Sequence, residues 1–197
     1  MQQFLISEFG DSLGNKIYHM QQRELHTIIG LTVGKSNSQR KTLKKTILPR
    51  IALYKVLEVE LGGQEKAYNL LEKYMFDIVG RKIKKQYAAL EFLPGFFYIF
   101  RKIMIGTINK SDNWMTKMVK DSNTAVRYNI TKCLWYDACK ENDCPELCKI
   151  FCDTDNVIYS SMKKVKFMRK GTLGIGDECC DFCFLNRKKI INSAKNR

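Results

Sequence analysis

The sequence predicts an α+β fold, with N-terminal helices packed with a C-terminal antiparallel sheet that ends in a β-hairpin. Between Ile47 and Val79, apolar residues recur at three- and four-residue spacing, the period of a helix. From Thr124 the period shortens, and Ala125–Cys133 is rich in β-branched and aromatic residues that partly alternate. Val165–Thr172 and Cys180–Arg187 then read as two strands joined by the turn Gly171-Thr172-Leu173-Gly174-Ile175-Gly176-Asp177.

Each element follows from local residue chemistry. Residues 1–16 are mixed and glycine-containing, and are expected to be poorly ordered or weakly docked. Ile17–Leu31 forms a helix that carries His19 and His26 on one face. Neither histidine has a Cys or Glu at ligand spacing, so both read as surface or satisfied core residues. Gly34–Arg40 is a polar loop and Lys41–Lys45 a basic flank. Ile47–Leu61 is a helix with Ile47, Ile51, Tyr54, Leu57 and Leu61 on its apolar repeat. Gly62-Gly63 ends it, because glycine accepts the left-handed conformation beyond a helix C-terminus. Gln64–Val79 is the next helix, and the tight turn between the two predicts an antiparallel pair. Gly80 is expected to kink or break the chain before Arg81–Gln86. Pro94 suits the first turn of a helix over Gly95–Ile108, and Asp112–Met118 reads as a connector.

After the first strand, Leu134–Lys140 is helix-like. Asp143 is expected to cap another helix, with Pro145 near its first turn. In the last strand, alternation puts Cys180, Phe182 and Phe184 on one face and Asp181, Cys183 and Leu185 on the other. The chain divides into a partly helical extension (1–45), a single α+β domain (46–187) and a basic tail (188–197).

Composition narrows the function. The 197 residues are 45% hydrophobic and 11% aromatic, enough to bury a core and to exclude wholesale disorder. The net charge is +14, with eleven Lys/Arg against three acids over Arg81–Lys132. Such a balance suits an anionic partner: nucleic acid, an acidic membrane surface or a carboxylate substrate. No basic-aromatic nucleic-acid motif is present, so specific nucleic-acid binding is not expected. No apolar run is long enough to span a bilayer. The greasiest stretch, Phe92–Ile105, is interrupted by Pro94, Gly95, Arg101 and Lys102, and reads as a buried amphipathic helix rather than a membrane-surface contact. The N-terminus lacks a secretory pattern, so the expected location is a reducing cytoplasm. There the eight cysteines stay free, bind metal or react.

The chemistry is concentrated in the C-terminal third. Cys180 and Cys183 have a zinc-hairpin spacer, but strand alternation sends them to opposite faces, so no metal is expected. A nucleophilic thiol needs a neighbouring base or cation. Cys133 stands where a strand meets a helix N-terminus, a position that lowers a thiol pKa. Cys152 is followed at once by Asp153 and Asp155. Cys139, Cys144, Cys148, Cys179 and Cys183 read as small buried hydrophobes. Among the carboxylates, Asp153, Asp155 and Asp181 can serve as acid and base, as a divalent-cation site, or as turn and cap residues. Arg169 and Lys170 can hold a carboxylate, Arg169 by a two-pronged contact.

These residues form an ordered pattern: Cys133 after a strand, Cys152-Asp153-x-Asp155, a basic strand with Arg169 and Thr172-Leu173, Gly176, and Cys180-Asp181-Phe182-x-Phe184. The pattern resembles the L-2-amino-thiazoline-4-carboxylic acid hydrolase family, as does the helix turn at Leu61-Gly62, over roughly Ile47 to Leu185. The resemblance implies hydrolytic opening of a cyclic amidine without a cofactor. Cys133 or Cys152 would attack the amidine carbon, or Asp153 or Asp155 would activate water. The other carboxylate would bind the amidinium, and Arg169 the substrate carboxylate, with Thr172, Cys180 and Asp181 completing the binding site. The final hairpin is also distantly similar to 4-vinyl-reductase-type small-molecule-binding domains, which implies a non-catalytic sensor as the alternative. A zinc-stabilised basic interaction module is the third reading.

Overall fold

The computed structural model describes residues 1–190. All but the first three residues of the expected basic tail lie outside them. Helices come first: α1 (Gln2–Leu31), α2 (Asn37–Lys45), α3 (Leu48–Leu61), α4 (Gln64–Lys73), α5 (Arg81–Leu90) and α6 (Phe96–Lys110). Strands β1 (Trp114–Asp121) and β2 (Ala125–Cys133), helices α7 (Leu134–Glu141) and α8 (Leu147–Tyr159), and strands β3 (Val165–Met168) and β4 (Cys180–Asn186) follow. The four strands form one antiparallel sheet in the order β1-β2-β4-β3. The architecture is therefore α+β, with the terminal hairpin formed by β3 and β4.

The N-terminus departs from expectation. Residues 2–9 are helical, and Gly10 breaks the path with φ 77° and ψ 170°, a left-handed backbone that glycine adopts without strain. Gly14 lets the two pieces touch, since a Cβ there would lie 2.7 Å from the Ile6 backbone. Phe4 and Leu5 are buried as a result. Most of the expected loop and all of the basic flank before Ile47 are instead α2, started by a capping box between Ser36 and Gln39. Gly62 takes the left-handed conformation expected of it and closes α3.

Gly80 does not break the chain. Helix α4 runs through a π-helical segment, Tyr74–Gly80, directly into α5, with Gly80 in helical geometry. Within the expected connector Asp112–Met118, the residues from Trp114 onward belong to β1. Asp143 caps nothing: it sits in a turn with φ 57°, and α8 begins at Leu147. That helix runs on to Tyr159, so Cys152, Asp153 and Asp155 are helical rather than part of a turn.

Two cores result. An aliphatic one joins α1, α3, α4, α7 and α8 through Leu5, Ile17, Ile51, Leu57, Leu71 and Ile150. An aromatic one joins α6 to the inner face of the sheet through Phe96, Phe100, Tyr128, Phe182 and Phe184. Tyr128 pairs with Phe182 across β2 and β4, and their rings stack with centroids 5.2 Å apart. Helix α8 lies between the cores, giving Cys148 and Ile150 to the first and packing Tyr159 on the second.

Candidate functional site

At the boundary between the two cores lies a cavity of about 530 Å³. It is walled by α3, the π segment, α5, α6, the inner face of β2 and β4, and α8. Helix α8 sends Cys148, Cys152 and Asp155 into it with Tyr159, spaced by four, three and four residues along one helical stripe. The inner sheet face adds Tyr128, Cys180 and Phe182, and the stretch after β3 adds Arg169.

Arg169 is almost completely buried. Its Nη1 donates to Asp155 Oδ2 at 2.8 Å and its Nη2 to the Cys152 carbonyl at 2.7 Å. The guanidinium also lies over the Phe182 ring, 5.2 Å from its centroid. Asp155 faces the cavity with 29% of its side chain exposed. Burial nevertheless lifts its carboxyl to about 7, against the opposing pull of Arg169. Desolvation among the cavity walls outweighs the ion pair there. Burial and the Asp155 charge raise Tyr128 and Tyr159 well above the usual phenol range, so both remain neutral donors.

The thiols form a chain. Cys152 is stabilised as the thiolate by donation from Cys148 and Cys180, then by Thr172 and the Arg169 charge, which together outweigh burial. Cys148 and Cys180 are pushed up in return, chiefly because each donates within the chain. The Thr172 hydroxyl oxygen is buried and makes no hydrogen bond of ordinary geometry among the described residues. Gly174 lets the covering turn approach: a Cβ there would lie 3.2 Å from Cys152 Sγ. In that turn the Leu173 N–H donates to Cys180 Sγ at 3.3 Å.

Cys133 also lines the cavity, at the N-terminus of α7. Burial lifts its thiol to about 11, overcoming the Tyr136 and Trp135 N–H groups that favour the thiolate. Of the two candidate nucleophiles, Cys152 carries the activated environment.

Five of the sequence-derived candidates thus meet at one cavity: Cys133, Cys152, Asp155, Arg169 and Cys180. Thr172 stands just behind Cys152. Asp153 and Asp181 lie elsewhere. Asp153 points away along α8 and pairs with Lys149 one turn earlier. Asp181 is on the opposite face of β4, where it accepts from the Lys170 and Gly171 N–H groups at 2.8 Å each. There it borders a smaller hollow of about 340 Å³. Lys170 is likewise on that side. Among the described residues, no group of three or more His, Cys, Asp or Glu side chains is arranged to hold a metal ion.

Sequence reasoning passed over Tyr87, Tyr128, Tyr159 and Arg50. Tyr159 was within reach, being four residues beyond Asp155 once α8 extends that far. Arg50 had no local signal. It lines the cavity from α3, its Nη1 donates to the Lys45 and Thr46 carbonyls at 3.0 and 2.6 Å, and burial pulls its pKa below the usual value. Among the described residues it has no carboxylate partner, whereas Arg169 is already committed.

Residues 40–184 match the family model described as L-2-amino-thiazoline-4-carboxylic acid hydrolase. No curated protein and no solved structure matches the chain.

Proposed function

The chain belongs to the L-2-amino-thiazoline-4-carboxylic acid hydrolase family, and on that premise we propose that its cavity opens a cyclic amidine by thiolate attack. The observation that carries this reading is the meeting of an activated Cys152 thiol with a carboxyl lifted to about 7, Asp155, in one cavity. Cys152 Sγ adds to the amidine carbon. As a ring bond of that carbon breaks, Asp155 passes its proton to the departing nitrogen or sulfur. The resulting carboxylate then takes a proton from water, whose oxygen attacks the same carbon and expels Cys152 as thiolate. The sum is the addition of one water and the loss of one ring bond, with both side chains restored.

Geometry supports the roles given to the neighbouring side chains. Arg169 holds Asp155 in place through its 2.8 Å contact. Arg50, the cavity-lining cation with no acid partner among the described residues, takes the substrate carboxylate in place of the role expected of Arg169. Tyr128 and Tyr159 are neutral donors toward polar substrate atoms.

The cavity volume favours a second reading. At about 530 Å³, with Met104, Ile108, Trp114, Trp135 and Phe151 in its walls, it leaves room beyond one five-membered ring. A bulkier ligand held without turnover would make the protein a binding domain. Incubation with L-2-amino-thiazoline-4-carboxylate, followed by chromatography of the products, separates the two. Ring opening by the wild type and its loss in Cys152→Ser supports the hydrolase. Ring opening undiminished in Cys152→Ser removes the thiolate mechanism, and ligand binding without ring opening favours the binding domain.

A further inference from the structure

A surface of another character flanks the cavity. Helices α5 and α6 are joined at Glu91–Gly95, and the tip of this connection is apolar. Phe92 is 88% exposed, and Leu90, Leu93, Tyr98, Ile99 and Ile103 stand exposed beside it in sequence. Helix α6 is therefore amphipathic in an unusual sense. It buries Phe96, Phe97, Phe100, Met104 and Ile108 in the aromatic core and still presents large apolar side chains to water.

The charge around this edge is predominantly basic, although Arg81 pairs with Asp77 and Arg101 with Asp121. Residues 81–110 hold seven Lys/Arg and a single acid, Glu91. Glu91 is buried, and its two carboxylate oxygens are taken by the Lys163 and Lys164 N–H groups at 3.0 and 2.7 Å. That contact brings two more lysines to the tip, and Lys164 Nζ donates to the Leu93 carbonyl at 3.2 Å. Lys102 lies over the Tyr98 ring, 4.7 Å from its centroid. Among the described residues, no carboxylate side chain is in salt-bridge contact with Lys82, Lys84, Lys85, Lys102, Lys163 or Lys164.

We infer that the Phe92 edge docks on an anionic lipid bilayer surface. Aromatic and aliphatic side chains enter the interface while the surrounding lysines meet lipid phosphates, the pairing that holds peripheral proteins at such surfaces. A second copy of the chain is disfavoured as occupant, because each brings +14 to the contact. No helix among the described residues is long and apolar enough to cross a membrane, so the contact is interfacial. Ile103 belongs both to this edge and to the wall of the cavity, which places the docked surface beside the site.

Vesicle flotation of the full chain tests the inference, using phosphatidylcholine vesicles with and without phosphatidylglycerol. Binding is expected only with phosphatidylglycerol present, and it should weaken as salt rises. Phe92→Asp should lower partitioning roughly tenfold or more, and Lys84→Gln and Lys85→Gln by about fivefold each. All three side chains are exposed, so circular dichroism should be unchanged. Absence of binding to the anionic vesicles overturns the inference. So does binding unaffected by Phe92→Asp, which would leave only adsorption by net charge. A fall in molar mass on Phe92→Asp, seen by light scattering without vesicles, would assign the edge to a second copy instead.

Discussion

The two faces of α8 each carry one ion pair, and the carboxylates are two residues apart. Asp153 and Asp155 are almost equally exposed, at 30% and 29% of their side chains. Their partners are not. Lys149 is 52% exposed and Arg169 is 3% exposed. On the outer face, both charges share bulk water, which screens them and leaves the pair nearly neutral for stability. On the inner face, the cation is buried against the Phe167 and Phe182 rings. The same carboxyl group is lifted to about 7 on one face and left in a solvent-shared ion pair on the other. A helix turns 100° per residue, so a two-residue step is enough to change the medium.

Substitutions that act on one face alone sharpen this contrast. The largest effect belongs to the thiol beside the inner pair: Cys152→Ala should lower the ring-opening rate by about 10³-fold or more, with the fold intact by circular dichroism. An unaltered rate would move the nucleophile elsewhere. Next is Arg169→Met, which leaves Asp155 without its partner in a confined site. Urea denaturation should show a loss of about 3 kcal/mol, and a loss under 1 kcal/mol would mean that cavity water replaces the guanidinium.

Asp155→Asn should cost about 10²-fold in rate. It should also abolish a pH limb. A carboxyl lifted to about 7 keeps its proton below that pH and gives it up above, so wild-type activity should fall as pH rises through neutrality. Persistence of that limb in Asp155→Asn would assign it to another group. Smallest of all is Asp153→Asn on the outer face, expected to shift stability by less than about 0.5 kcal/mol and leave the rate alone. A loss comparable to that of Asp155→Asn would erase the distinction between the faces.

What the sequence made legible tracks how strongly burial imposes a pattern. Helix α3 was readable because Ile51, Tyr54 and Leu57 are all buried at helical spacing. Strand β4 was readable because Cys180, Phe182 and Phe184 alternate with less buried residues. Strand β1 was missed for the opposite reason: it is an edge strand, largely exposed, and no apolar face is imposed on it. Helix α2 was missed because only Leu43 among its residues is buried, although its Ser36–Gln39 capping box was there to be read. The site was half legible. The Cys152–Asp155 stripe follows from helical spacing, but the choice between Asp153 and Asp155 needs to know that α8 continues past both. Arg50 reaches the cavity through tertiary packing alone, which leaves no trace in local spacing.

The π-helical segment at Tyr74–Gly80 acts as a gear between the two halves of one long helix. It accommodates one more residue than an α-helical path of the same rise, and so sets the phase of everything after it. With that phase, α5 turns Ile83 and Tyr87 to the cavity and Lys82, Lys84 and Lys85 outward. Were the segment α-helical with every residue kept, each later residue would move forward by a single step. Lys82 would then stand where Ile83 stands, and Gln86 where Tyr87 stands. One codon's length of chain thus separates an apolar wall from a cationic one, without any change to α8 or to the sheet.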